Sequence, residues 1–228
     1  MHNRIVIRVW GDSALFTQPH FAADPMTAPV MGPSPAKGIL RAIFHKPEFE
    51  WEILRIHIAK PILYRSFKTK AVKGTSRWTE DSARTLRVAT ELVDVEYFIE
   101  ARIAVNTRRT TKPLARYLGE ARKKMRQGKQ WSVPCFGMRE YLAWWELWED
   151  EIPKAQPINM NLGSMLFDMR PVDIAKDQWN PIFWHAEIRD GVLEVPQSLY
   201  ERERRTLMDA RMKVSPPHPD HKHTRKVS

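Results

Sequence analysis

Cysteine is almost missing from this chain of 228 residues: Cys135 stands alone, which excludes an internal disulfide and any cysteine-built metal knuckle. Long apolar runs are missing too. No stretch approaches the roughly 20 residues that span a bilayer, and Arg4 to Trp10 alternates like a strand where a leader's apolar core would lie. Acidic residues are in short supply, 27 Asp and Glu against 37 Lys and Arg, so the formal charge is +10. These absences point away from a membrane or secreted protein and toward a cytoplasmic one with a polyanionic partner, nucleic acid first. What is present suits a packed core: 43% hydrophobic and 28% charged residues are ordinary globular values. The length fits one domain, or one with a smaller companion.

Along the chain, Ile5, Ile7 and Val9 alternate with period two and mark a strand. Five prolines between residues 17 and 35 exclude regular structure and make a long loop. Ser34 followed by Pro35 reads as a helix start with serine as N-cap; Ile39, Leu40, Ile43 and Phe44 form its apolar stripe, and Pro47 stops it. Trp51 to Lys60 reads as a strand, with Trp51, Ile53, Arg55 and His57 on one side and Leu54, Ile56 and Ile58 on the other. Residues 67–82 read as a polar hairpin tip, and residues 86–105 as two strand-like stretches around Val93-Asp94. A helix follows Thr110-Thr111 and runs to about Gln127, closed by Gly128, and a strand is expected to begin near Trp131.

Residues 150–196 read as short strands ending in a hairpin turned by Asp190-Gly191. Ser198 and Glu201 make a capping box for a charged helix, and the residues beyond Val214, with His218, His221 and His223, read as a disordered tail and not a metal site. The order β-α-β, then β-α-β, is that of an α+β, ferredoxin-like (RRM-like) domain. The expected division is 1–149 for that domain, 150–200 for a smaller antiparallel β part, and 201–228 for the charged helix and tail.

Charge is concentrated in residues 101–130. Arg102, Arg108, Arg109, Lys112, Arg116, Arg122, Lys123, Lys124, Arg126 and Lys129 are opposed within that window by Glu120 alone. A solvated helix face normally interleaves both signs. Like charges three and four residues apart repel unless an anion neutralises them; a phosphate backbone does so while releasing counterions.

Four strings carry a specific resemblance: VWGDSALFTQP, PAKGILRAIFHKPEFEWEI, RYLGEARKKMRQGKQWSVPCFGMREY and IFWHAEIRDGVLEVP, in that order between residues 9 and 196. Together they closely resemble the Cas five family of CRISPR proteins, in its subtype I-C (Dvulg) branch. The resemblance implies a ferredoxin-like N-terminal domain with a glycine-rich loop and a smaller β-rich C-terminal part. It also implies an endoribonuclease that cuts pre-crRNA at the base of the repeat hairpin and stays on the crRNA 5′ handle. Its implied partners are the backbone subunit and the large subunit of the interference complex.

RNA carries its own nucleophile, so such cleavage needs no cofactor. A base removes the 2′-OH proton, the oxygen attacks the adjacent phosphorus in line, and cations stabilise the phosphorane, leaving a 2′,3′-cyclic phosphate and a 5′-OH. Family members place a tyrosine late in the first helix, which matches Phe44 here, and a Lys-His or Lys-Tyr pair at the start of the second. Counting back from Gly128 without a gap, that pair becomes Arg116-Tyr117; matching the lysine itself gives Lys112-Pro113. The catalytic candidates are therefore Tyr117, Arg116 and Lys112, with His45 as a rival base because imidazoles titrate near neutrality. Arginine in place of lysine stabilises a phosphorane but does not shuttle a proton. The RNA-contact candidates are Arg41, Arg108, Arg109, Arg122, Lys123, Lys124, Arg126, Lys129 and Arg139, and Gly128 with Gly137 could frame a loop of backbone donors. No metal ligand set is expected.

Overall fold

Strand β1 (Ile5–Ala14) is flanked on both sides, by β4 (Arg84–Val105) and by β5 (Trp144–Trp148), and both pairings are antiparallel. This central position explains its composition: Ile5, Val6, Ile7 and Val9 are all buried, more than simple alternation requires. These features belong to a computed structural model that describes residues 3–17, 26–72, 84–173, 178–202 and 204. Most of the expected hairpin tip (residues 73–82) and the tail histidines lie outside the described residues.

The sheet runs in the order β5-β1-β4-β2-β8-β7-β6, with β3 (Leu63–Val72) pairing β4 beside that path. β2 is Phe49–Ile58, β6 Met160–Asp173, β7 Gln178–Arg189 and β8 Val192–Glu194, and every pairing is antiparallel. Residues 150–196, expected as several short strands of a smaller separate part, instead supply two long strands and β8. β8 pairs with β2 through Arg55, Ile56 and His57, which extends one sheet. Accordingly, Met1–Val195 is one compact unit and Pro196–Ser228 another. In the second unit the chain turns helical at Gln197, ahead of the expected cap Ser198.

Several local expectations are corrected. The two faces expected for β2 exchange midway, because the register shifts between Ile53 and Arg55. An extra residue at a bulge inverts the alternation, so Trp51 and Ile53 join Ile56 and Ile58 in the core while Arg55 is exposed. Residues 84–105 are one strand, bent where Asp94 takes φ 53°. Strand β3 continues to Val72, past the expected start of the tip. The Asp190-Gly191 turn is as expected, with φ of 47° and 74° at its two residues, the left-handed pair a two-residue hairpin needs.

Helix α1 (Pro33–Ile43) starts before Ser34: Gly32 is the N-cap, and no side chain caps the end. Pro33 presets the first helical φ, which moves the start upstream of the serine. Its stripe of Ile39, Leu40 and Ile43 is buried, with Phe44 just past the last turn. Helix α2 (Leu114–Arg126) ends as expected at Gly128. There φ is +64°, Gly128 N–H donates to Met125 at 3.0 Å and Lys129 N–H to Lys124 at 3.0 Å, which is the Schellman closure. No strand begins near Trp131; residues 131–143 are irregular, and the strand starts at Trp144. No helix among the described residues is long and apolar enough to cross a membrane.

Candidate nucleic-acid interface

The basic window is partly neutralised from outside itself. Arg102 pairs with Glu52 at 2.8 Å, Arg126 with Glu149 at 2.6 Å, and Arg116 with Glu120 at 3.3 Å. Arg122 donates to the Arg4 carbonyl at 3.0 Å and Arg109 to the Pro47 carbonyl at 3.1 Å. Glu120 was counted within residues 101–130; the other partners were missed, because strand pairing and helix docking bring them from elsewhere in the chain. Arg108, Lys112, Lys123 and Lys129 are exposed and make no ion pair among the described residues. Lys124 lies 5.1 Å from the centre of the Phe44 ring.

Tyr117 lies inside. It is 1% exposed, packs 5.6 Å from Phe49, and its hydroxyl donates to Thr110 Oγ1 at 2.9 Å. The same Thr110 oxygen accepts the Lys112 backbone N–H at 3.1 Å. A ring held this way supports the junction of the two helices and has no face for a phosphate. Phe44 completes the cluster, stacked 5.5 Å from Phe49, and Lys46 sits 5.6 Å from the Tyr117 ring while pairing with Glu120. That Lys46 bond, with help from Arg116, holds the Glu120 carboxyl below its usual range.

His45 is placed differently. It is exposed at the end of α1 and shares a shallow depression with Arg41, Gly38, Ala42, Trp131 and Ser132. This depression runs into a cleft of about 650 Å³ whose wall includes Ser34, Gly38, Ser132, Gly137 and Arg139. Arg41 also reaches Glu50 at 2.5 Å.

The segment that roofs the cleft is fastened at several points. Trp131 and Ser132 N–H both donate to the Ala42 carbonyl at 2.9 Å, and Trp145 Nε1 donates to Gln130 at 2.7 Å. Phe136 is fully buried, edge-on to Phe16 at 6.0 Å, and its carbonyl accepts Leu15 N–H at 3.1 Å. Gly137 has φ +89°, and a Cβ there would stand 2.0 Å from the Leu15 carbonyl oxygen, so only glycine fits. Among the described residues no group of three His, Cys, Asp or Glu could hold a metal ion.

The family model described as CRISPR-associated protein (Cas_Cas5), in its Cas5d form, matches residues 4–196. The chain belongs to the Cas5d family. Two Cas5d relatives bear the name CRISPR pre-crRNA endoribonuclease Cas5d. The protein of Thermus thermophilus is 33% identical, covering 87% of this chain and 93% of its own. That of Mannheimia succiniciproducens is also 33% identical, covering 90% of this chain and 100% of its own. A crystal structure of a CRISPR-associated protein, 20% identical, superposes with a TM-score of 0.64 over 85% of this chain and 91% of its own, and so shares the fold.

Within this Cas5d chain the expected site residues therefore fall into two groups. His45, Arg41 and Arg139 border the connected depression and cleft, whereas Tyr117, Arg116 and Lys112 belong to the junction around Thr110 and Glu120. Sequence reasoning missed Trp131, the most exposed large apolar side chain among the described residues at 86%. Its signal was there: a tryptophan two residues after Lys129, between Gly128 and Gly137.

Proposed function

We propose that this chain is the repeat-processing endoribonuclease of a type I-C CRISPR system. It binds the repeat hairpin of pre-crRNA, cuts at the hairpin base by metal-independent attack of the 2′-OH, and remains on the crRNA 5′ handle. There it joins the backbone subunit and the large subunit of the interference complex. The observation that carries this reading is 33% identity, over nearly the whole length of each partner, to two proteins named pre-crRNA endoribonucleases. The strand order β5-β1-β4-β2, with α1 and α2 as the crossover connections, supports a ferredoxin-like, RRM-like core for it.

For the chemistry, His45 is the base. It is the exposed imidazole of the shallow depression, beside Arg41 and close to the open end of the cleft. Its ring takes the 2′-OH proton, while Arg41, Lys124 and Arg139 supply positive charge for the phosphorane oxygens. Arg108, Arg109, Lys112 and Lys123 serve the hairpin backbone, Lys129 the strand beside it, and Arg116, Arg122 and Arg126 contribute through the helix they brace.

A second reading is favoured by two particular residues. Phe44, buried at the position where family members carry a tyrosine, offers no hydroxyl, and that of Tyr117 is occupied by Thr110. On this reading the chain caps the 5′ handle without cutting. Incubating the purified protein with labelled cognate repeat RNA in EDTA decides between them. Cleavage that stops when the scissile nucleotide is 2′-deoxy, with binding retained, is the outcome the enzyme reading requires. Binding without any cleavage makes the chain a scaffold.

A further inference from the structure

The indole of Trp131 has no ring contact and no hydrogen-bond partner among the described residues, yet the backbone beneath it is among the best fastened in the loop. Gly128 and Lys129 close the helix before it, Gln130 is tied to Trp145, and its own N–H and that of Ser132 are anchored on Ala42. A mobile tryptophan would fold back onto apolar surface. This one is held out on the wall of the depression, which shares Gly38, Ala42 and Ser132 with the adjoining cleft. Space above Gly38 is real: a Cβ built on it meets nothing within 4 Å.

The charge around the ring selects the occupant. Lys129 precedes it by two residues and Arg139 lines the cleft, and neither makes an ion pair among the described residues. A flat exposed apolar face, with one unpaired cation two residues before it and another in the adjoining cleft, suits a nucleobase whose phosphates run past the cations. It does not suit a paired base, because bases inside an A-form duplex are stacked on each other and keep their faces covered.

We propose that Trp131 is a stacking platform for one unpaired nucleobase of the RNA strand that flanks the repeat hairpin. The base lies over the indole, its neighbouring phosphates fall on Lys129 and Arg139, and the ribose is directed toward His45. Stacking on a fixed ring is sequence-tolerant and requires a single-stranded nucleotide at a set distance from the cleavage point. The platform thereby measures where the duplex ends. This proposal rests on the reading of the chain as a binder of pre-crRNA.

The test uses the full chain and repeat RNA from its own genome, in versions abasic at each unpaired position beside the hairpin. Trp131→Ala should weaken binding about 5- to 150-fold, the range of one base–aromatic stack, and Trp131→Phe should restore most of it. One abasic position should cost wild type the same factor and cost Trp131→Ala nothing further. The slope of log affinity against log salt should be unchanged in Trp131→Ala, since no phosphate contact is lost. Exposure of the ring keeps folding out of the result. Equal affinity of Trp131→Ala and wild type for every RNA, with wild type still cleaving, overturns the platform and leaves the enzyme reading standing. So does loss of a protein partner with RNA binding intact. Wild-type protein that does not bind repeat RNA overturns both.

Discussion

Five arginines on and before α2 and three cationic or titratable side chains around the depression and cleft use their charge in opposite ways. On α2 and before it five arginines are used internally: Arg102, Arg116 and Arg126 meet carboxylates, and Arg109 and Arg122 meet backbone carbonyls. At the end of α1 and in the loop beside it, His45, Lys129 and Arg139 have no such partners among the described residues; His45 borders the depression, Arg139 the cleft, and Lys129 is exposed. Arginine's planar fork suits a fixed carboxylate or carbonyl, which is how these five are used. The lesson is that net charge locates a binding region only coarsely. Which cations are available depends on which ones the fold has already paired.

The sharpest way to break this contrast is the cleavage step. His45→Ala should reduce single-turnover cleavage by about 10²–10⁴, the usual loss for a positioned acid–base group, whereas Tyr117→Phe should cut at close to the wild-type rate. Lys112→Ala should weaken binding without touching that rate. If Tyr117→Phe is dead and His45→Ala is not, the two regions exchange roles and the junction of the helices becomes the reaction centre.

Next in size is the loop. Gly137→Ala combines a strained left-handed conformation with a collision against the Leu15 carbonyl, and each effect alone costs about 1–3 kcal/mol. Urea denaturation should show a lower midpoint with an unchanged slope. A wild-type midpoint would mean the loop shifts freely, and the fastening argued for Trp131 would fall with it.

A third prediction separates acid sensitivity of the sheet from that of the cleft. Glu100 is buried between His57 at 2.6 Å and Arg4 at 3.0 Å. Burial raises its carboxyl pKa, but the His57 hydrogen bond and the charge of Arg4 outweigh it, so the net displacement is downward. Stability from this group is therefore complete above the ordinary carboxylate value and is lost as pH falls through the depressed one. Glu100→Gln should flatten that acid limb in pH-dependent denaturation and cost about 1–3 kcal/mol at neutral pH. An acid limb as steep as wild type would assign it to other carboxylates.

The smallest effect is on salt dependence. Replacing Lys124, Lys129 and Arg139 with alanine should lower the slope of log affinity against log salt by about 2, at roughly 0.7 per lost single-strand phosphate contact. The same number of changes at Arg102, Arg116 and Arg126 should leave the slope nearly intact and lower stability instead. Equal slopes from both sets would erase the distinction drawn between the regions.

How far these features were legible varies residue by residue. Gly128 announced the end of α2 because a left-handed stop needs glycine whatever lies nearby, and Asp190-Gly191 announced its hairpin for the same reason. The bulge in β2 was not legible: WEILRIHI reads as even alternation, and the inversion follows from the partners β2 meets in β4 and β8. Ser34 offered a cap, but Gly32 and Pro33 offered a better start two residues earlier. For the candidate site, His45, Arg41 and Arg139 could be named from sequence, and their convergence on one opening could not.

By itself the sequence determined what depends on a few consecutive residues: the alternation of β1, the apolar stripe of α1, the glycine-dependent turns, the basic composition, and the four strings that mark the family. The tertiary structure decided what depends on residues far apart in the chain. Only pairing of β8 with β2 showed that residues 150–195 extend the sheet. Only packing of Phe44, Phe49 and Tyr117 showed that the tyrosine's hydroxyl is committed to Thr110. And only the docking of the loop on Ala42 brought Trp131 beside His45. The physical reason is that local conformation is set by sterics and hydrogen bonds within a turn, whereas burial and neutralisation of a side chain are set by whichever distant segment the core brings against it.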